Sequence, residues 1–143
     1  MNLLVYGLIA LLVFYLDVIT KSWAVANDTI VCAVNYGISW GICSQGLSSG
    51  IFFGVISFCI VLFCAYLARL RLKQNKTIYP ETFIIAGALA NIFSRILYHG
   101  GVIDFIDIYP LLHVQFPLFN VADVSVVFGV FLLTLRELLY EKD

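Results

Sequence analysis

The sequence predicts an all-α membrane protein, with four transmembrane helices and a small β-element in the loop between helices 1 and 2. Hydrophobic residues make up 62% of the 143 residues and charged residues 12%, and the mean hydropathy is +1.01. A soluble domain has about 45–50% apolar and about 25% charged residues. Apolar stretches recur at close to the roughly 20 residues that a membrane-spanning helix needs. Four spans leave only loops over, so we expect a single membrane domain over residues 1–143.

Composition also argues against some classes of binding partner. The net charge is −1 and no basic cluster lies near aromatic residues, which argues against a nucleic-acid partner. The cysteines show neither C-x-x-C spacing nor a histidine partner, so we expect no metal site, and we expect no cofactor. Cys32 and Cys43 can pair only if their loop faces an oxidising compartment.

The first apolar stretch predicts a helix over residues 3–21. It lacks the positively charged start and the cleavage site of a secretory signal, so we expect it to be retained. Asp17 and Lys21 stand four residues apart on one helix face. Two interpretations are open: a salt bridge that lets both charges lie near the membrane interface, or support for the floor of a polar site.

Residues 22–49 do not form a span. A β-branched run at 29–34, a turn signal from Asn35 to Gly37 and a second alternation at 38–42 predict a small β-element on the membrane surface. Asn35 is either a turn residue or a clamp whose amide holds an extended peptide backbone. The aromatic residues of this loop suit a membrane interface: Trp23, Tyr36 and Trp40.

The second helix is predicted over residues 50–68 and is followed by a basic loop, 69–80. Four of the eight basic residues lie between positions 69 and 76. The positive-inside rule makes this loop cytoplasmic. Both termini are then cytoplasmic, and the loops 22–49 and 98–118 are periplasmic.

The third helix is predicted over residues 82–97, after a break at Pro80. Gly87, Asn91 and Arg95 recur every four residues, so they share a face that we expect to point into the bundle. Asn91 is either a hydrogen-bonding contact between helices or part of a polar site.

The fourth helix is predicted over residues 121–140 and begins with Asp123. Taken alone, the charge of Asp123 is explained by the helix dipole, which favours a carboxylate in the first turn. Asp104 taken alone is explained as a solvated loop residue. The predicted topology places both at the same membrane surface, and the 18 residues between them are enough to bring them together. We expect the inner half of the bundle to carry almost no ionisable side chain.

Two adjacent carboxyl groups predict a specific chemistry. They do not both ionise easily, so one keeps a proton while the other acts as a base. The base takes a proton from water while the acid hydrogen-bonds the scissile carbonyl, which hydrolyses a peptide without a covalent intermediate. No rival set is present: the sequence lacks G-x-S-x-G and H-E-x-x-H, and neither His99 nor His113 has a nucleophile beside it.

These residues resemble the motifs of bacterial lipoprotein signal peptidase, also called signal peptidase II. The resemblance covers essentially the whole chain and is most specific in its last two motifs. In order, the matching motifs are Asp17-x3-Lys21, Asn35-x-Gly37, Asn91-x2-Ser94-Arg95, Gly101-x2-Asp104-Phe105 and Phe119-Asn120-x-Ala122-Asp123.

The resemblance implies an intramembrane aspartyl endopeptidase of the bacterial inner membrane. Such enzymes cut prolipoprotein signal peptides just before a cysteine that carries diacylglycerol, so the partners are that precursor and membrane lipid. By position, Asp104 and Asp123 match the catalytic dyad. The residues that match substrate-binding or supporting positions are Asn35, Asn91, Arg95, Asn120, Asp17 and Lys21. We expect a monomer whose site lies near the periplasmic face.

The chain departs from the family pattern at two positions. Ser94 stands where aspartate is usual, and Ala90 where glycine is usual. Serine cannot supply a charge to Arg95, so we expect Arg95 to be repositioned or paired elsewhere. This keeps a non-catalytic lipoprotein-binding paralogue as an alternative. A small proton-coupled transporter is the other, but it needs acidic groups across the depth of the bilayer.

Overall fold

The described part of the chain contains four long helices, one short helix and two short strands. The computed structural model describes residues 3–37 and 46–140. In chain order its elements are α1 (Leu3–Val25), β1 (Ala33–Asn35), α2 (Gly46–Lys73), α3 (Tyr79–Leu97), β2 (Val102–Asp104), α4 (Tyr109–Leu112) and α5 (Val121–Tyr140).

Three of the described helices are long and apolar enough to cross a membrane: α1, α2 from Ser48 onward, and α3. The α5 helix has 20 residues, but Asp123, Arg136 and Glu137 give it three charges. The protein is therefore mostly helical with three candidate spans, and the fourth predicted span stays a prediction.

The α3 helix is the centre of the bundle. It packs against α5, α2 and α1, and half of its apolar span is buried inside the protein, compared with 22% for α2 and 11% for α1. Gly87 permits the approach of α5, because a Cβ atom there would contact the carbonyl oxygen of Ala122 and lie 2.8 Å from Cγ2 of Val126. The start of α5 is thus held against α3.

The α2 helix is longer than the predicted span of residues 50–68. Its basic residues Arg71 and Lys73 lie in its last turn, where the helix dipole favours positive charge. The predicted loop 69–80 is therefore wrong in extent, and the connection between α2 and α3 covers only residues 74–78.

The other helix ends differ less from the prediction. The α1 helix continues to Val25 instead of residue 21, and α3 begins at Tyr79 instead of residue 82. Pro80 does not break α3, because proline is well tolerated in the first turn of a helix. The α5 helix has the predicted bounds.

The predicted β-element has a partner that the sequence did not indicate. Its first strand, β1, lies in the predicted loop 22–49, but it pairs antiparallel with β2, so that Ala33 faces Asp104 and Asn35 faces Val102. A three-residue strand is too short for a clear alternation, which is why β2 was missed. Residues 38–42, where a second alternation was predicted, lie outside the described residues.

A buried ion cluster lies at the first turn of α3, where almost no ionisable side chain was predicted. The carboxylate of Glu81 is 1% exposed and accepts a hydrogen bond from Arg136 Nη1 at 3.2 Å, and Arg136 Nη2 forms an ion pair with its other oxygen at 2.8 Å. Arg71 Nε lies 3.9 Å from the same carboxylate. The prediction was wrong because Glu81 and Arg136 are 55 positions apart and meet only in the tertiary fold.

Candidate active site

Asp17 and Lys21 of α1 form a buried ion pair at the base of the site. Lys21 Nζ lies 2.7 Å from Oδ2 of Asp17, and the two side chains are 3% and 0% exposed. The salt bridge is confirmed, but it has further partners. Lys21 also donates to Oδ1 of Asn91 at 2.9 Å, and Oδ1 of Asp17 accepts the backbone N–H of Ala122 at 2.8 Å. The pair therefore joins α1 to α3 and to the first turn of α5.

Asn120 and Asp123 cap the start of α5 reciprocally. The Asn120 side-chain oxygen accepts the Asp123 N–H at 2.9 Å, and the Asp123 carboxylate accepts the Asn120 N–H at 3.1 Å. This is the arrangement of a capping box, with aspartate in place of the usual glutamate. Asn91 Nδ2 donates to the other carboxylate oxygen of Asp123 at 2.9 Å. Both oxygens of Asp123 are therefore held.

Asp104 enters the site from the end of β2. Its side chain is 4% exposed and accepts two amide donors, Asn35 Nδ2 at 3.0 Å and Asn120 Nδ2 at 2.7 Å. Asn35 is delivered by the paired strand β1. The sheet thus places a donor from the first loop against a carboxylate from the second.

The environment of Asp104 favours its protonated form. Burial raises the pKa of Asp104 to about 6, and the negative charge of Asp123 raises it as well. The amide donors of Asn35 and Asn120 and the positive charge of Lys21 lower the same pKa but do not overcome the loss of water. Asp104 therefore titrates close to neutral pH.

Asn120 connects the two carboxylates directly. Its amide nitrogen donates to Asp104 while its amide oxygen and its backbone N–H bind Asp123, and its side chain is fully buried. Within residues 3–37 and 46–140, neither aspartate forms a salt bridge. Neutral amides, not cations, are the direct partners of the pair.

Asn35 is a turn residue, as one of its two interpretations predicted, and it also binds Asp104. Its side-chain oxygen accepts the N–H of Gly37 at 2.9 Å, as expected for a turn residue, and its nitrogen binds Asp104. A hold on a substrate backbone stays a prediction.

Arg95 lies beside the site and does not contact either aspartate. It donates to the carbonyl oxygens of Gly100 at 2.8 Å and Gly37 at 3.4 Å. The expectation that Arg95 is paired elsewhere is confirmed: it joins the two loops. Ser94 is buried and its Oγ accepts the N–H of Ile103 at 3.4 Å, and Ala90 is fully buried.

The structure adds two features that the sequence did not indicate. One is β2, whose signal was the β-branched pair Val102 and Ile103 after two glycines. The other is an apolar groove of about 550 Å³ with Asp123 in its wall. Its lining residues are Phe116, Phe119, Asp123, Val124, Val127, Phe128 and Phe131.

The sequence raised a possible Cys32–Cys43 disulfide and predicted no metal site. Cys32 is an exposed free thiol, while Cys43 lies outside the described residues. Across the described ranges, no three His, Cys, Asp or Glu side chains lie close enough to share a metal ion.

The sequence is similar to known peptidases along nearly its whole length. The profile of a family described as signal peptidase (SPase) II matches residues 9–139. A lipoprotein signal peptidase of Wigglesworthia glossinidia brevipalpis is 38% identical, with 89% of this chain and 90% of the relative covered. One of Blochmanniella pennsylvanica is 32% identical, with 90% and 85% covered.

The fold is similar to solved structures as well. Two bacterial membrane enzyme structures determined by the in meso method, at 2.3 and 1.9 Å resolution, each have a TM-score of 0.73. They are 31% and 30% identical to this chain, cover 94% of it, and are themselves covered to 87% and 92%.

Proposed function

The chain belongs to the signal peptidase II family of aspartic peptidases, which process prolipoproteins, and we propose that Asp104 and Asp123 are its catalytic dyad. The protein is accordingly a membrane peptidase that removes prolipoprotein signal peptides. The observation that carries the assignment of the dyad is Asn120, which binds both carboxylates through one buried side chain and its own backbone.

The proposed mechanism uses one proton shared by the pair. The ionised carboxylate takes a proton from a water molecule, whose oxygen attacks the scissile carbonyl carbon, and the protonated carboxyl gives its proton to the carbonyl oxygen. In the second step the C–N bond breaks as the amide nitrogen receives the proton taken from water, and the carbonyl forms again as the proton on its oxygen returns to the carboxyl that gave it. The pKa of Asp104, raised to about 6 by burial, supports a carboxyl that holds a proton at a higher pH than a solvated aspartate does.

The remaining site residues have supporting roles in this proposal. Asn35, Asn91 and Asn120 orient the carboxylates through their amides. Asp17 and Lys21 fix Asn91 and the first turn of α5. Arg95 holds the loops around Gly37 and Gly100 together, so we infer that it shapes the entrance for the extended peptide.

The groove beside Asp123 suits the apolar part of the precursor. Its wall consists of aromatic and aliphatic side chains apart from Asp123 itself, so a hydrophobic signal helix or an acyl chain entering from the bilayer buries apolar surface there. We infer that the substrate carries a diacylglyceryl cysteine and is cut just before it.

The topology follows from the basic residues around the connection at 74–78. We infer four spans with α5 as the fourth, both termini cytoplasmic, and the dyad near the periplasmic face of the inner membrane. The chain acts as a single membrane domain and as a monomer. A reporter fused after Lys73 should be cytoplasmic and one fused between residues 46 and 49 periplasmic; the opposite pattern would reverse the site.

The direct test is cleavage of a diacylglyceryl-modified precursor by Asp104→Asn and Asp123→Asn variants. Each should lose at least about 100-fold in rate, the lower range for general acid–base groups, because asparagine cannot carry the shared proton. Asp28→Asn, an exposed aspartate of the first loop, is the matched control and should retain activity. Full activity in either dyad variant would remove the assignment.

The same assay with unlipidated precursor tests the substrate. We expect cleavage only of the lipidated form. A non-catalytic binding paralogue would cleave neither form, and equal cleavage of both would overturn the requirement for the lipid.

A further inference from the structure

The loop between β2 and α5 presents a continuous apolar surface. Its base is closed by Ile106 and Phe119, which exchange backbone hydrogen bonds at 2.8 and 3.2 Å. Between them, all residues from 107 to 118 except Asp107, His113 and Gln115 are apolar. Its large exposed side chains, from 50% to 79% exposed, are Tyr109, Leu111, Leu112, Val114 and Phe116.

The backbone at the tip of this loop is already satisfied. Asp107 Oδ1 accepts the Tyr109 N–H at 2.9 Å. The N–H groups of Leu111, Leu112 and His113 bond to carbonyl oxygens within the loop, at 2.9 to 3.1 Å. Pro110 has no N–H, so from residue 109 to 113 every backbone donor is bonded or absent. An unbonded N–H is costly in an apolar medium, and bonded donors therefore lower the cost of placing this tip at the membrane boundary.

The apolar surface of the loop is continuous with the side of α5 that faces outward. Phe116 is exposed and its ring lies 5.9 Å from that of Phe119. Both rings line the groove that continues along Val127 and Phe131 of α5, which are themselves more than half exposed. In a membrane protein that outward side of an apolar helix contacts lipid.

We propose that residues 107–118 insert their apolar tip into the headgroup–acyl boundary of the leaflet on the side of the dyad. The partner is the lipid bilayer itself. Exposed leucines at the tip supply the apolar contact, and the Tyr109 and His113 side chains are of the amphipathic kind that lies at membrane interfaces.

This placement has a structural consequence for the site. Asp104 immediately precedes the loop and Asp123 follows it, so an anchored loop fixes the height of both carboxylates relative to the membrane surface. The proposal concerns where the loop lies and does not depend on the catalytic assignment.

Single-tryptophan variants test the position of the loop. The chain has two tryptophans, Trp23 and Trp40, and both are replaced by phenylalanine. Leu111→Trp and Leu112→Trp are then made separately in this background, with Asp28→Trp as the control in the first loop. The full-length proteins are reconstituted into phosphatidylethanolamine and phosphatidylglycerol vesicles that contain phosphatidylcholine brominated near either end of its acyl chains.

Fluorescence quenching distinguishes the outcomes. We expect Trp fluorescence at positions 111 and 112 to be quenched more by lipid brominated near the carbonyl end than by lipid brominated near the methyl end. We also expect iodide to quench the fluorescence at positions 111 and 112 less than that of the Asp28→Trp control. Quenching by iodide equal to the control overturns the proposal. Protection from both iodide and brominated lipid overturns it too, since it indicates a protein partner such as a second copy.

Discussion

The two ends of α3 hold buried carboxylates in opposite ways. At the first turn, Glu81 forms an ion pair with Arg136 and lies near Arg71. About 15 Å along the helix, by its rise of about 1.5 Å per residue, Asn91 binds Asp123, and the direct partners of Asp123 and Asp104 are amides. Both ends are buried, yet among the described residues Asp104 and Asp123 form no ion pair, whereas Glu81 does.

The difference in partners agrees with a structural role for Glu81 and with the proposed transfer of a proton by Asp104 and Asp123. A guanidinium bound through two nitrogens fixes the charge of a carboxylate and its geometry. A neutral amide also fixes the geometry of a carboxylate, but it stabilises the negative charge much less. The proton affinity of the carboxylate therefore stays high when water is excluded. In our proposal the same helix therefore has a structural end, at Glu81, and a reactive end, at Asn91.

The largest expected effect is at Asn120, which joins the reactive pair. Asn120→Ser keeps a good N-cap acceptor for α5 but removes the amide donor to Asp104. We expect a fall of about 100-fold in kcat, the scale for misplacing a catalytic group, with an unchanged thermal unfolding midpoint. Asn120→Ala should lose activity similarly and also about 1 kcal/mol of stability, because the cap is lost. Wild-type cleavage by the serine variant would contradict the role of Asn120 as a positioning residue.

Removing charge at the structural end should affect stability and spare the chemistry. Glu81→Gln leaves Arg136 and Arg71 without their carboxylate, but these are 20% and 24% exposed and reach water. We expect a loss of about 2 kcal/mol in unfolding free energy, less than the roughly 3–5 kcal/mol for a fully buried pair.

The unfolding free energy is measured in detergent, and cleavage at a temperature where both proteins are folded. Glu137→Gln removes an exposed partner of the same Arg136 and should cost almost nothing. A loss of cleavage rate in folded Glu81→Gln would show that the two ends are coupled.

The pH dependence of kcat/KM tests the effect of the Asn35 amide on the pKa of Asp104. The pair is active with one proton, and Asp104 loses its proton at a pKa of about 6, so kcat/KM should fall as pH rises through this region. Asn35 donates to the carboxylate and lowers its pKa, so Asn35→Ala should shift the descending limb to higher pH. Asn27→Ala is the control, because among the described residues the Asn27 side chain bonds to Thr29 and not to the site. A limb that stays in place, or moves to lower pH, would contradict the assignment.

The smallest effect is expected at Ser94, where the chain departs from its family. The hydrogen bond from Ile103 N–H to Ser94 Oγ is long at 3.4 Å, and Arg95 has other acceptors. Ser94→Ala should therefore lower stability by less than about 0.5 kcal/mol, the low end for a hydrogen bond, and cleavage should be nearly unchanged. A strong loss of cleavage would mean that Ser94 positions β2 for the reaction.

The sequence was sufficient for features that depend on long patterns. The apolar runs predicted four helices, and the motif ending in Asp123 placed that residue at the start of α5. The sequence was not sufficient for features made by distant partners. The strand β2 has three residues and its partner lies 69 positions away. Pro80 was taken as a helix break because composition alone does not distinguish a first-turn proline from an interior one.

Buried charge was the least predictable feature. Glu81 and Arg136 look like ordinary charges near helix ends, and nothing in their neighbouring residues indicates that they meet. Asp17 and Lys21 were predictable as a pair because four residues on one helix bring them together. Their contacts with Asn91 and Ala122 were not, because those depend on the packing of three helices.

The hydrogen bond from the Ala122 N–H to Asp17 spans 105 positions of the chain. The α5 helix follows α1, α2 and α3 in the chain, so Asp17 acquires this partner only after those three helices have been made. A nascent chain that contains α1, α2 and α3 alone has neither Asp123 nor the cap that orients it. In the proposed mechanism such a chain lacks half of the dyad, so we expect it to have no peptidase activity until α5 has been made.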